Sequence, residues 1–486
     1  MAVLLIFALA PGQVYRVDSR RMSAVFYDLE TSDKNPIGQI VNYSFIQSSA
    51  DWQSINELSG LIHISRLQIP DPGAILANRT DVQEHQKIAR DSESVAMSKI
   101  VAFLAGCIED ARGAIPLVGY NSSRFDLNYL RTSLVRNGLN PYFGGKIIPR
   151  DLLHVVQKAY LSSPVFRELV LGQRAGEKKL SLSLQTVGHA LGLLSGEQAH
   201  ESRADVVLTM RVAAWMQKEC GLDVTSFEAY EGGKLHSTVR SGTVYMQEQP
   251  EYDLSQDGYR ITTPMTLLDA SGKAALWVDL QRYSEKQSPE CIVWRSAAKH
   301  PFFISQQAVQ DLDLQRLARA ALKQFSSITL KNYFEKTTCD IEMDIYRLDF
   351  DSLDIFSRAI LKNDKTILQE CSNPDAKVLW SRRQLASPQA SISDPKMAEV
   401  LRKYALHRYG GKLQLARSVD DSEEEEGAYH PTLSSMLRDL TQKREAAVIT
   451  GNQADQQLLD SLERYIRESD IVRVAGSELI PGWSRR

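Results

Sequence analysis

The clearest break between hydrophobic and polar positions lies near the start of the chain, where Ala24-Val25-Phe26-Tyr27 runs into Asp28-Leu29-Glu30-Thr31. Four apolar or aromatic residues followed by alternating acids predict a buried strand with an exposed end. Side chains two apart on a strand share a face, so Asp28 and Glu30 stand side by side. The polar stretch 31–36 predicts a turn, 38–46 a second strand and 58–64 a further one, the beginning of a meander. Pro70, Pro72 and Gly73 punctuate a loop, after which 94–112 has helical spacing with Ile100, Leu104, Cys107 and Ile108 on one face. The short apolar run 115–119 predicts a buried strand that stops at Gly119-Tyr120-Asn121.

Leu127, Leu130 and Leu134 then mark a helix that starts beside Asp126 and stops at Gly138. Further helices are expected at 151–161 and 181–193, the second holding His189 as a structural residue. Val206, Val207, Met210, Ala213 and Ala214 stripe another helix, with Asp205 in its first turn and His200 in the loop before it. Beyond 220 the period changes. Residues 235–280 alternate, and 262–268 with 274–280 flank Asp269-Ala270-Ser271-Gly272 as a hairpin. Mixed strands and short helices follow to about Phe334, and from Ile345 the pattern is helical, around 353–361, 397–409, 433–448 and 454–466.

At 486 residues the chain exceeds one ordinary core, and roughly two to four domains are expected. With 43% apolar and 24% charged residues it has the make-up of a soluble globular protein. A net charge of -3 and a pI near 6.3 give no global basic signature, but phosphate is drawn to local grooves and not to the whole-chain sum. Cys107, Cys220, Cys291, Cys339 and Cys371 are scattered without a close pair, which fits reduced thiols in the cytoplasm better than disulfides or a zinc site. The run 2–10 is apolar, too short to span a bilayer and not preceded by a basic segment. It reads as a secretory signal or as an upstream extension over 1–21; the flow of Ser23 into the first strand favours the extension, with Met22 as the natural start.

Paired carboxylates raise each other's pKa and are costly unless a cation lies between them, and Mg2+ prefers carboxylate oxygens. Asp-x-Glu recurs at Asp91/Glu93, Asp340/Glu342 and Asp421/Glu423, so the spacing alone discriminates poorly. Taken alone, Asp126 reads as a helix cap, and Asn121 and Arg124 either satisfy turn backbone or face a phosphate. His200, five residues ahead of Asp205, reads alone as a surface histidine before a capping carboxylate. The ordered set is more specific than its parts: Asp28, Glu30, Asp126, His200 and Asp205 are what two-metal phosphodiester hydrolysis needs. There, two divalent ions about 3.5–4 Å apart hold the attacking water and the leaving oxygen. Asp28 would bridge both ions, Glu30 and Asp205 complete one, Asp126 help hold the other, and His200 take the proton of the water. Tyr120, Arg124 and Phe125, with Arg402, Lys403, Arg408 and Tyr409, are candidates for the basic, aromatic groove that holds a single strand. Ordinary surface and core roles are the alternative for the last four. The acidic run 420–426 reads as a solvated loop facing away from nucleic acid.

On Phe26-Tyr27-Asp28-Leu29-Glu30-Thr31, Gly119-Tyr120-Asn121-x-x-Arg124-Phe125-Asp126, Arg150-Asp151-Leu152-Leu153 and Ala199-His200-x-x-x-Ala204-Asp205-Val206, the sequence resembles the DEDD superfamily of 3'-to-5' exonucleases. Glu201 stands where the tyrosine subtype would carry Tyr, so the likeness is to the histidine subtype (DEDDh), and within it to the bacterial exonuclease I family. The resemblance implies an α/β (α+β) protein: a ribonuclease-H-like exonuclease domain with a mixed sheet at 22–219, an SH3-like β-rich domain at 220–344 and an all-helical C-terminal domain at 345–480. It implies catalysis by His200, metal ligation by Asp28, Glu30, Asp126 and Asp205, and substrate contacts from Thr31, Tyr120, Asn121, Arg124 and Phe125. Two Mg2+ per active site, with Mn2+ as a substitute, would support release of 5'-mononucleotides from single-stranded DNA in repair and recombination. A monomer without membrane attachment, docking the C-terminal tail of the single-stranded-DNA-binding protein, completes the expectation. An exoribonuclease or a polymerase proofreading exonuclease is the nearest alternative, weakened by the roughly 265 residues that follow position 220. A catalytically inactive nucleic-acid-binding module is the alternative of another class, weakened by all five active-site positions being filled.

Overall fold

The computed structural model describes residues 22–34, 38–173, 180–195, 201–227, 237–255, 258–271, 274–296, 302–304, 310–336, 391–410 and 432–480. His200, the run 1–21, the expected helix at 353–361 and the acidic run 420–426 lie outside the described residues.

Strand β1 (Met22–Thr31) is the centre of a five-stranded mixed sheet ordered β3-β2-β1-β4-β5. β2 (Ile40–Ser49) runs antiparallel to β1 and β3 (Ser54–Leu61) antiparallel to β2, while β4 (Ile115–Gly119) and β5 (Ile147–Asp151) run parallel to β1. Two short helices, α1 (Pro72–Ala77) and α2 (Val82–Ile88), follow β3. The two-residue period of β1 sorts its side chains between two cores. Val25, Tyr27 and Leu29 pack with α3 (Glu93–Ala111) and α4 (Asp126–Arg136). Ala24 and Phe26 pack with α5 (Leu152–Ser162), α6 (Pro164–Gly172), α7 (Leu184–Ala190) and α8 (Ser202–Cys220). Asp28 and Glu30 continue the even series, so the same period aims both carboxylates at the α8 side. The register slips between Glu30 and Thr31, which ends the regular pairing with β2 just past the second acid.

A second sheet, all antiparallel, has the order β10-β6-β7-β8-β9. Its strands are β6 (Val244–Ser255), β7 (Gly258–Ser271), β8 (Ala274–Asp279), β9 (Ile292–Ser296) and β10 (Phe302–Ile304). The hairpin expected near 269–272 is the β7–β8 pair, whose last register pair is Ser271 with Ala274. Leu280, Tyr283, Ala318 and Ala321, from the helices Leu280–Glu285 and Leu312–Gln324, fill one face of this sheet. The last described helices are Pro395–Tyr409, Leu433–Thr450, Gln453–Glu468 and Asp470–Leu479. Their core is continuous with the first sheet's lobe: Leu401, Tyr404, Leu459 and Leu462 bury against Ile64, Leu67, Ile69 and Ile75.

Several elements depart from the sequence pattern. Residues 147–151 form a strand, where the pattern predicts only a helix beginning at 151; five residues are too few for a period to show. α1 and α2 occupy a stretch read as loop, because Pro72 at the first helical turn and the caps Asp71 and Asp81 start helices there. The helix expected over 181–193 is confined to Leu184–Ala190 by the Ser183 cap. Asp470–Leu479, capped by Ser469, is a helix that the periodicity does not separate from its predecessor.

Candidate active site

Asp28 and Glu30 come from β1, and Asp205 from the first turn of α8. One oxygen from each of the three carboxylates lies within 4.8 Å of the other two. The approach of α8 is fixed at its N-terminus. Glu201 caps the helix, accepting from the amides of Arg203 at 3.3 Å and Ala204 at 3.1 Å. Ser202 Oγ donates to Asn42 Oδ1 at 2.9 Å, and Asn42 is the β2 partner of Glu30. Arg203 grips Glu57 of β3 with two bonds, of 2.8 and 3.1 Å. The capping role of Glu201 is not visible in the motif, where it is only the residue after His200.

Asp126 opens α4 and is buried. β4 pairs with β1 only at Val25 and Phe26. Beyond the end of β4, the amide of Leu29, between the two β1 acids, donates to the Asp126 carboxylate, as does Asp126's own amide. The turn leading to Asp126 is built by close approach. A Cβ on Gly119 would lie 2.5 Å from Cβ of Ser122, so only glycine fits. Asn121 has φ +56, a left-handed conformation that Asn tolerates better than most residues.

Burial, then the charges of Asp126, Glu30, Asp205 and Glu201, hold the Asp28 carboxyl well above the usual range. Burial, with Asp205, Asp126 and Glu201 behind it, pushes Glu30 up to about 8. Asp126 is pushed up to about 7, again chiefly by burial, with Asp151 adding and the two amides opposing. None of these three acids has a cationic side chain among the described residues that relieves it. Such a group fits a hard divalent cation: the donors are all oxygen and converge, and bound charge would remove the repulsion.

The other candidates divide. Thr31 is buried and its hydroxyl donates to the Asp33 carbonyl at 2.9 Å. The Tyr120 hydroxyl donates to the Leu182 carbonyl, and Phe125 packs on Tyr129 with ring centroids 4.8 Å apart. Asn121 is exposed, and Arg124 is half-buried. His200 lies outside the described residues. In the C-terminal helices the ordinary roles prevail: Arg402 pairs with Glu399 at 2.8 Å and Glu478 at 2.9 Å, and Lys403 lies 3.6 Å from Glu399. Arg408 and Tyr409 are buried, Tyr409 Oη accepting from the Ile69 amide at 2.8 Å. Glu30 also walls an open cleft of about 210 Å3, shared with Asn42, Leu61, Asn78, Thr80 and His85, which sequence reasoning did not anticipate.

No family model matches the sequence. Among curated proteins the chain is 24% identical over 203 residues to exodeoxyribonuclease I of Buchnera aphidicola, a match that takes in 41% of this chain and only 40% of that relative. Among solved structures it is similar to E. coli exonuclease I in complex with a dA16 oligonucleotide, with a TM-score of 0.62 and 16% identity over 92% of this chain and 100% of that one. Exonuclease I from Methylocaldum szegediense gives a TM-score of 0.61 and 17% identity over 92% and 99%. The zinc-bound form of the E. coli ExoI–ssDNA complex gives 0.60 and 16% over 93% and 100%. The chain therefore resembles bacterial exonuclease I in sequence and has the exonuclease I fold. No described helix is long and apolar enough to cross a membrane.

Proposed function

We propose that this chain is a metal-dependent exodeoxyribonuclease that degrades single-stranded DNA from its 3' end to 5'-mononucleotides. The observation that carries the reading is the convergence of Asp28, Glu30 and Asp205 within 4.8 Å, with Asp126 tied to the strand between the first two. When bound, two divalent ions, Mg2+ or in its place Mn2+, would activate the attacking water and stabilise the departing oxygen. Asp28, Glu30, Asp126 and Asp205 would hold them. His200, one residue before the cap of α8, would accept the proton of the water on a ring nitrogen. The cleft beside Glu30 would admit the terminal nucleotide, and Asn121 and Arg124 would face the strand behind it. The C-terminal tail of the single-stranded-DNA-binding protein as partner, a monomeric form, a cytoplasmic setting and a role in repair and recombination belong to the same reading.

A 5'-labelled single-stranded oligodeoxynucleotide, followed over time with Mg2+ or EDTA beside matched RNA and duplex DNA, tests it. A Mg2+-dependent ladder shortening from the 3' end on single-stranded DNA alone is expected. Faster loss of RNA would instead make the chain an exoribonuclease. Binding without cleavage would make it an inactive nucleic-acid-binding module.

A further inference from the structure

Asp151 lies at the end of β5, outside the carboxylate group, and it is buried. Its carboxylate accepts four hydrogen bonds. Oδ1 takes the amides of Asn121 at 2.8 Å and Leu153 at 3.0 Å, and Oδ2 takes the amide of Ser123 at 3.0 Å and its hydroxyl at 2.6 Å. Only the Leu153 bond serves to cap α5; the other three hold the 119–125 turn. A helix cap needs one acceptor, and Asn supplies it as well as Asp. The second oxygen takes both Ser123 bonds, and His154 Nε2 of α5 lies 3.9 Å from it. That turn contains a left-handed Asn121 and delivers Asp126 to the amide of Leu29. Inside the turn the Arg124 amide donates to the Asn121 carbonyl at 3.3 Å and the Leu127 amide to the Ser122 carbonyl at 2.9 Å; the bonds from Asp151 tie this unit to β5 and so set where α4 begins.

We infer that Asp151 is a positioning residue for the metal site: by pinning Asn121 and Ser123 it sets the place of Asp126 against Asp28, Glu30 and Asp205. The inference rests on the reading of those four acids as ligands. Partners that orient a ligand are worth roughly 10- to 100-fold in metal affinity when removed.

The test is Mn2+ binding by the full chain, measured by titration calorimetry and by the electron paramagnetic resonance signal of free Mn2+, without DNA. In Asp151→Asn the cap survives, but an amide group replaces one acceptor of the turn. Mn2+ affinity is expected to fall roughly 10- to 100-fold, with the near-ultraviolet circular dichroism unchanged. Ser123→Ala, which removes only the 2.6 Å bond, is expected to shift affinity the same way by less and to keep the fold if the first variant does not. Parental Mn2+ affinity in Ser123→Ala, together with parental affinity or misfolding in Asp151→Asn, overturns the positioning role and leaves the metal site standing. A parent chain that binds no Mn2+ overturns the metal reading itself, and this inference with it.

Discussion

Two regions treat charge in opposite ways. In the carboxylate group, Asp28, Glu30, Asp126 and Asp205 gather, and among the described residues no cationic side chain relieves the first three. At the joint between the C-terminal helices and residues 62–84, polar groups meet partners. Arg66 pairs with Asp470 at 3.1 Å, Arg79 with Asp455, and Ser461 Oγ donates to Asp81 at 2.6 Å while accepting from the Gln83 amide at 3.0 Å. Ion pairs near the surface stabilise by about 0–1 kcal/mol each, and these are only part-exposed, whereas burying one Leu or Ile side chain stabilises by about 1.5–3 kcal/mol. The joint is therefore held by its shared apolar core, with Leu459, Leu462 and Ile69 inside it, and the polar pairs fix its register. Two amides relieve Asp126 in part, and a bound cation would relieve the repulsion among the four.

The largest break in this contrast is Asp28→Ala. Cleavage of single-stranded DNA should vanish while strand binding, read by fluorescence anisotropy, persists. Melting in EDTA should hold or rise, since a repelled carboxylate is gone. Turnover retained by this variant would remove Asp28 from the metal site. Next comes His200→Ala, expected to slow hydrolysis by roughly 10^2- to 10^4-fold with binding intact. Loss of binding in its place would make His200 a substrate contact.

pH sharpens the comparison without a mutation. Glu30 is raised from 4.5 to about 8 and Asp126 from 3.8 to about 7 in the folded chain. Between about pH 4 and 8 the folded state thus retains protons that the unfolded state has released. Stability of the metal-free protein falls as pH rises through that window and levels off above it. Ligation needs the ionised acids, so the gain in melting temperature on adding Mg2+ grows with pH over the same range. Melts in EDTA between pH 5 and 8.5 that rise with pH would contradict the crowding of these acids. The smallest effect is at the joint. Tyr409→Phe leaves the amide of Ile69 unpaired and costs about 1–3 kcal/mol in chemical denaturation, with kcat of the folded fraction unchanged. A large fall in kcat would mean that the joint supports the acids as well as the fold.

Much of the site was legible in the sequence because its parts are local. An apolar lead-in followed by acids two apart specifies a strand and a shared face, and the stripe after Asp205 specifies a helix with that acid in its first turn. Gly119 and Asn121 are readable as turn residues for the same reason: one must lack a Cβ and the other must accept positive φ. Tyr409 and Arg408 were not legible, since a basic, aromatic helix has the same pattern whether it faces DNA or is buried against another lobe.

The sequence by itself determined most elements of the first lobe, though not β5, α1 or α2, together with the face of β1 that carries Asp28 and Glu30 and the order in which the acids are supplied, because periodicity and turn chemistry act over a few residues. Only the tertiary structure decided that Asp205 reaches the β1 acids, that Asp126 takes the Leu29 amide beyond the end of β4, that Asp151 anchors the turn between them, and that the C-terminal helices share a core with residues 64–75. Each of these joins residues tens to hundreds of positions apart, and the strand order and helix approach that join them come from burying apolar faces, which no local pattern encodes.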